Sequence, residues 1–197
     1  MKDELFLRGE KVPMTKEAVR ALALSKLDLH HARHFIDVGA GTGSVSIEAA
    51  LHFPALKVTA IERNPAALAL MAQNCRHFAC ENIVRIQADA PVVVEEKADA
   101  IFIGGSGGKM KEIIGTLLNL NPAVRIVANA ITLETVSEIL ACMKEYGFED
   151  GELLQVQVSP VKQLGSYHMP MAQNPVYIAV MQHPAKDDVE EIEWLDS

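Results

Sequence analysis

At 197 residues, 49% of them hydrophobic, the chain is long enough for one domain with a sizeable core and short for two. Its net charge of −8 disfavours a nucleic-acid partner; no apolar run approaches the roughly 18 residues of a membrane span, and no signal-peptide core follows Met1-Lys2-Asp3-Glu4, so the expected location is the cytoplasm, without a membrane partner. Cys75, Cys80 and Cys142 form no C-x-x-C pair, and no histidine pairs with another histidine or a cysteine at ligand spacing on a convincing helix face, so neither a disulfide framework nor a metal site is expected.

The predicted elements alternate. A helix runs from about Thr15 to Leu27, with Thr15 as its N-cap. Strand 34–38 leads to helix 44–52, and strand 57–61 to helix 65–78. Strands 83–88 and 98–103 follow, then a helix at about 109–118, strand 124–128 and helix 132–146, with Gly147 as the residue after its end. Two extended segments, 152–159 and 175–181, close the domain, joined by a loop containing Gly165, Pro170 and Pro175. This order predicts an α/β, doubly wound, mostly parallel sheet of seven strands with an antiparallel last strand. Residues 187–197 carry six acids and no base and read as a solvated tail outside the fold.

The most informative segment is Phe35-Ile36-Asp37-Val38-Gly39-Ala40-Gly41-Thr42-Gly43-Ser44. An apolar run ends beside an acid, three glycines follow at alternate positions, and an amphipathic stretch begins at once. Glycine is required where the backbone takes φ > 0 or lies directly against a ligand. Loops of this kind after the first strand bind adenosine-containing cofactors. The spacing separates the candidates, because a dinucleotide fingerprint would need a small residue at 44 after Gly39 and Gly41, without Asp37 as part of the pattern. Glu62, at the end of the second strand, is an acceptor for a ribose diol, with an ordinary surface glutamate as the alternative. Asp89, followed by Ala90 at the end of the third strand, is an acceptor for the exocyclic amine of adenine. Three acids in register at three strand ends reduce the chance of accident.

D-x-G-x-G-x-G resembles the first motif of the class I S-adenosylmethionine-dependent methyltransferases. Further segments sharpen the likeness: Gly9–Glu17, Ile103–Gly108, Asn129–Thr135, Gly165–Met169 and Gln173–Tyr177. Together they resemble the decarboxylating cobalt-precorrin-6B (carbon-15) methyltransferases of cobalamin biosynthesis over about residues 8–182. The resemblance implies one methyltransferase domain over 1–186, a homotetramer, and a cobalt-precorrin substrate methylated at carbon 15 with loss of the carbon-12 acetate carboxyl group. The cobalt would belong to the substrate. The absence of a fused second methyltransferase domain fits the anaerobic pathway. Residues matching the cofactor motifs are Thr15, Asp37, Gly39, Ala40, Gly41, Gly43, Glu62, Asp89 and Ala90.

Methyl transfer from a sulfonium needs in-line approach more than a strong nucleophile. Gly104-Gly105-Ser106-Gly107-Gly108 suits close approach of a flat macrocycle, with Gly104 and Gly105 as cleft candidates; a flexible loop is the alternative. Tyr167 and His168 are candidates for substrate contact or proton handling, and a structural role accounts equally well for His168. Arg8, Lys11, Lys16, Lys109, Lys111 and Lys162 are candidates for substrate carboxylates, each equally a solvated surface cation. An RNA base methyltransferase is the competing reading, weakened by the acidic charge. Asn174-Pro175-Val176-Tyr177 resembles an amino-group methyltransferase motif but opens the last strand instead of following the fourth, so it reads as structural. A cofactor-fold interaction subunit and an NAD-dependent oxidoreductase rank lower.

Overall fold

The computed structural model describes residues 1–10 and 12–183, so Lys11 and the predicted acidic tail lie outside the described residues. The elements run α1 (Glu17–Leu27), β1 (His34–Val38), α2 (Ser44–His52), β2 (Lys57–Glu62), α3 (Pro65–His77), β3 (Ile83–Gln87), β4 (Ala100–Ile103), α4 (Met110–Leu120), β5 (Arg125–Ala130), α5 (Leu133–Glu145), β6 (Glu152–Val156), β7 (Val161–Leu164), β8 (Tyr167–Pro170) and β9 (Val176–Met181). Seven strands form one sheet in the order β3-β2-β1-β4-β5-β9-β6. β1 to β5 pair in parallel, and β9 runs antiparallel to both β5 and β6. The last strand is therefore antiparallel, as expected, and inserts one place in from the edge.

β1 is buried along its whole length, as a central parallel strand covered on both faces must be. Its residues alternate between two cores. Phe35 packs with Phe102, Val127 and Ile178 in the layer that includes α1, α2 and α3. Ile36 and Val38 pack with Ile101, Ile103 and Ile126 in the layer that includes α4 and α5. Each such side chain contributes ~1.5–3 kcal/mol on leaving water. α3 begins where the sequence places it, with the Asn64 side chain accepting the Ala66 N–H at 2.9 Å and Pro65 in the first turn. Gly147 takes the left-handed conformation expected after α5, with φ +70°.

Two local expectations change. Thr15 is not the N-cap of α1: Lys16 holds that position without a side-chain cap, and Asp3 Oδ1 accepts the Glu17 N–H at 3.0 Å from 14 residues upstream. The Thr15 carbonyl instead accepts from Arg20 Nη1 at 2.5 Å. Residues 161–170 are not an irregular loop but a hairpin, β7–β8, in register Leu164↔Tyr167 around the turn Gly165-Ser166. Gly165 has φ +62°, so its backbone permits the tight reversal. Both strands are exposed, so no buried face marked them in the sequence.

The N-terminal segment is fastened to the body by buried polar groups. Arg20, fully buried, donates to Glu48 Oε2 at 2.6 Å and Asp3 Oδ1 at 3.1 Å, and its guanidinium lies 5.0 Å from the Phe6 ring centroid. The Met1 amino group meets Glu48 Oε1 at 2.6 Å. Asn74, on α3, accepts the Leu7 N–H at 2.8 Å and donates to the carbonyls of Leu7 and Thr42. It thereby ties the segment to the glycine loop. No helix among the described residues is long and apolar enough to cross a membrane.

Candidate active site

A cleft of about 240 Å³ opens at the carboxyl ends of the parallel strands. Gly39, Glu62, Asp89, Ala90, Gly104 and Gly105 line it, together with Pro13 and Arg63. Ligands of open α/β sheets bind at this end, where the strand order reverses between β1 and β4.

The loop after β1 is held from three sides. Gly39, Gly41 and Gly43 all have positive φ, between +55° and +78°. A Cβ on Gly39 would lie 2.7 Å from the Gly105 carbonyl oxygen, one on Gly41 2.7 Å from the Pro13 oxygen, and one on Gly43 2.5 Å from Met71 Cγ. The N–H groups of Gly39 and Ala40 donate to the Ile61 carbonyl, at 2.9 and 3.1 Å. The loop thus sits between the Gly104–Gly105 turn, the N-terminal segment and α3, with no room for side chains.

Glu62 closes the same loop. Its Oε2 accepts the Gly41 N–H at 2.9 Å and its Oε1 the Asn64 N–H at 2.8 Å. A carboxylate has about four acceptor sites, so roughly two remain for hydroxyl donors. Asp37 is buried at the end of β1, where Ser46 Oγ donates to its Oδ2 at 2.5 Å. Its Oδ1 has no hydrogen-bond partner among the described residues, nor does Thr42 Oγ1 in the loop. Burial pushes the Asp37 carboxyl up to about 7, with the Ser46 hydrogen bonds pulling the other way and the nearby Glu62 charge adding to the rise.

Asp89 stands exposed at the cleft mouth. Lys109 Nζ meets its Oδ2 at 2.7 Å and Arg63 its Oδ1 at 3.8 Å. The Lys109 hydrogen bond, aided by both positive charges, holds its carboxyl below the usual carboxylate range. Arg63 also leans over Gly107, with Nη1 3.3 Å from where a Cβ there would stand.

The structure gathers Asp37, Gly39, Ala40, Gly41, Gly43, Glu62, Asp89, Ala90, Gly104 and Gly105 at one end of the sheet. Thr15 does not line the cleft; Pro13, two residues earlier, does. Tyr167 and His168 lie on the exposed β7–β8 hairpin, outside the cleft lining. Sequence reasoning missed Pro13 and Arg63, although the position of Arg63 directly after Glu62 was the available signal. No three His, Cys, Asp or Glu side chains gather as a metal-ligand cluster among the described residues.

The sheet order, the inserted antiparallel strand and the glycine loop closed by an acid on β2 define the class I methyltransferase fold. A family model described as a precorrin methyltransferase domain matches residues 6–183, and the chain belongs to that family. It is 54% identical over 183 residues to a cobalt-precorrin-6B C(15)-methyltransferase (decarboxylating) of Salmonella typhimurium, covering 92% of this chain and 95% of the relative. A probable enzyme of the same name from Saccharolobus solfataricus is 39% identical over 188 residues, 92% of this chain and 94% of that one. Among solved structures, precorrin-6y C5,15-methyltransferase from Geobacter metallireducens superposes with TM-score 0.85 at 36% identity, covering 93% of this chain and 96% of that chain. A protein from Methanobacterium thermoautotrophicum described as precorrin 8W decarboxylase superposes with TM-score 0.84 at 29% identity, covering 93% and 100%.

Proposed function

We propose that the chain methylates carbon 15 of cobalt-precorrin-6B with S-adenosylmethionine and removes the carbon-12 acetate carboxyl group as carbon dioxide, giving cobalt-precorrin-7 in anaerobic cobalamin biosynthesis. The observation that carries this reading is the 54% identity, over nearly the whole of both chains, to a relative named for that reaction.

The residues fit the cofactor. The acceptor capacity left on Glu62 suits a ribose diol, and the unpartnered oxygens of Asp37 and Thr42 suit polar hydrogens at the methionine end. Asp89 and Ala90 line the same cleft, which supports their reading as the adenine side. When bound, the sulfonium supplies an electrophilic methyl group. The protein's part is to hold the partners in line, which is worth up to ~7–11 kcal/mol in well-oriented reactions. Gly104 and Gly105 keep side chains out of the acceptor's path, and nothing lies within 4 Å of a Cβ built on Gly105. Arg63 and Lys109 both pair with Asp89 at the cleft mouth, which fixes that carboxylate on the adenosine side.

The substrate is a small molecule and not a nucleic acid, a reading supported by the acidic charge. The assembly is a homotetramer in the cytoplasm; the exposed Val161, Leu164, Tyr167 and Met169 of the hairpin support burial against another copy, and three free cysteines suit a reducing compartment. Mass spectrometry after incubation with cobalt-precorrin-6B and S-adenosylmethionine tests the reaction: the product gains one methyl group and loses one carbon dioxide. Methylation without loss of carbon dioxide would leave the methyltransferase and remove the decarboxylation.

A further inference from the structure

Asn129 belongs to a segment that the cofactor cleft does not use. It lies near the carboxyl end of β5, opposite Ile178 of β9. Its Oδ1 is buried and has no hydrogen-bond partner among the described residues. A buried amide oxygen without a partner costs ~1–3 kcal/mol, so a fold shaped by packing alone would favour an apolar residue there.

Its place on the sheet relates it to the other two orphaned oxygens. Phe35, Phe102 and Val127, on β1, β4 and β5, share one face of the sheet. Each is two residues short of Asp37, Gly104 and Asn129, so these three fall on that same face by the alternation of a strand. Among the described residues, all three buried side-chain atoms without partners, Asp37 Oδ1, Thr42 Oγ1 and Asn129 Oδ1, therefore sit at the carboxyl end of the sheet. Two of them flank the cofactor loop. The third stands two strands away, about 10 Å at the usual strand spacing, on the far side of the Gly104–Gly105 turn.

The covering helix opens toward the same point. Arg125 Nε donates to the Lys26 carbonyl at 2.5 Å, which pins the last turn of α1 beside the start of β5. From Lys26 back to Glu17 the helix rises about 13 Å, and from Arg125 to Asn129 the strand rises about the same. The first turn of α1, preceded by Met14, Thr15 and Lys16, thus comes level with Asn129. A multi-ring acceptor resting on Gly104–Gly105 would extend over this position, whereas the adenosine-side residues Glu62 and Asp89 lie in the opposite direction along the sheet.

We infer that the Asn129 side-chain amide hydrogen-bonds a peripheral carboxylate of the methyl acceptor, holding the macrocycle over the Gly104–Gly105 turn. The residue is half-buried with only Oδ1 enclosed, which leaves its two Nδ2 donors for an anionic oxygen. This rests on the tetrapyrrole reading above.

The test compares wild type with Asn129→Ala, Asn129→Ser and Asn129→Asp by thermal unfolding, S-adenosylhomocysteine calorimetry and steady-state turnover of cobalt-precorrin-6B. Asn129→Ala should keep or raise Tm, because it deletes an unsatisfied buried group. It should leave S-adenosylhomocysteine affinity within about twofold and raise KM for the tetrapyrrole ~10-fold or more. Asn129→Ser should recover part of the loss, and Asn129→Asp, which sets a negative charge against a carboxylate, should fall below Ala. A drop in Tm with unchanged KM would make Asn129 structural, and lost cofactor affinity would move it to the cofactor; either overturns the inference. Wild-type turnover separates the two levels: an active wild type with an equally active Asn129→Ala sinks this contact alone, while an inactive wild type sinks the substrate reading and the contact with it.

Discussion

Glu62 is joined to Gly41 by a hydrogen bond of 2.9 Å from the backbone N–H to Oε2, so the acid that ends β2 also braces the loop that follows β1. Its other oxygen accepts from Asn64, at the start of α3. One side chain thereby fixes the cleft floor, the loop and the next helix, while keeping lone pairs for a ligand.

Replacing Glu62 should therefore act on two quantities at once. Glu62→Gln keeps one acceptor oxygen and turns an NH₂ toward the other N–H donor. Affinity for S-adenosylhomocysteine, measured by calorimetry, should fall by about 1.5–3 kcal/mol for each charge-assisted bond lost. Glu62→Ala should weaken it further and also lower Tm. Unchanged affinity in both variants would remove Glu62 from the site.

Gly43 has φ +78°, and a Cβ there would stand 2.5 Å from Met71 Cγ. Gly43→Ala should cost ~2–5 kcal/mol, combining left-handed strain with overpacking. Met71 is a flexible side chain, so Gly43→Ala/Met71→Ala should destabilise by less than the sum of the single changes. Strict additivity in urea titrations would show that the collision is relieved some other way.

Arg20 and Glu48 form an ion pair of 2.6 Å with both side chains buried. Glu48→Met should cost about 3–5 kcal/mol, since it leaves a buried guanidinium with only Asp3 as a carboxylate partner at 3.1 Å. Arg20→Met/Glu48→Met should recover part of that loss in chemical denaturation. A double variant less stable than Glu48→Met would contradict the assignment of the cost to the uncompensated charge.

The frame of this fold was legible because its signals are local. Runs such as Phe35–Val38 and Ala100–Ile103 are apolar and bounded by turn residues, and three glycines separated by single residues admit few conformations. The acids Glu62 and Asp89 were found because each ends such a run. Pro13 was not, because its place over Gly41 depends on Asn74 and Arg20 fastening a remote segment. The Asp3 cap of α1 escaped for the same reason, being 14 residues from the N–H it accepts. The β7–β8 hairpin lacks a buried face, so alternation gave no contrast there. Thr15 rests on the family motif alone, and Pro13, two residues earlier, lines the cleft.

Asp37 makes stability depend on pH. Burial raises its folded pKa from 3.8 to about 7, so the folded state holds a proton that the unfolded state releases. Stability is therefore lost as pH climbs from about 4 to about 7, by roughly 4 kcal/mol in all at 1.36 kcal/mol per pK unit. Asp37→Asn does not ionise, so its stability relative to wild type should grow over that interval and level off above it. Urea unfolding from pH 4 to 8 measures the difference; a constant offset would mean that Asp37 stays charged throughout.

Gly105 is the proposed divider between cofactor and acceptor. Its backbone presses on Gly39, but a Cβ of its own would meet nothing within 4 Å, so Gly105→Leu should fold with Tm close to wild type. On the proposed placement of the macrocycle, the added side chain occupies the acceptor's space over the turn. Turnover should fall ~10-fold or more, a loss of at least 1.4 kcal/mol in transition-state stabilisation. S-adenosylhomocysteine affinity should stay near wild type. If cofactor affinity falls instead, the turn is a wall of the cofactor site, and the macrocycle must approach from the α1 and β5 side alone.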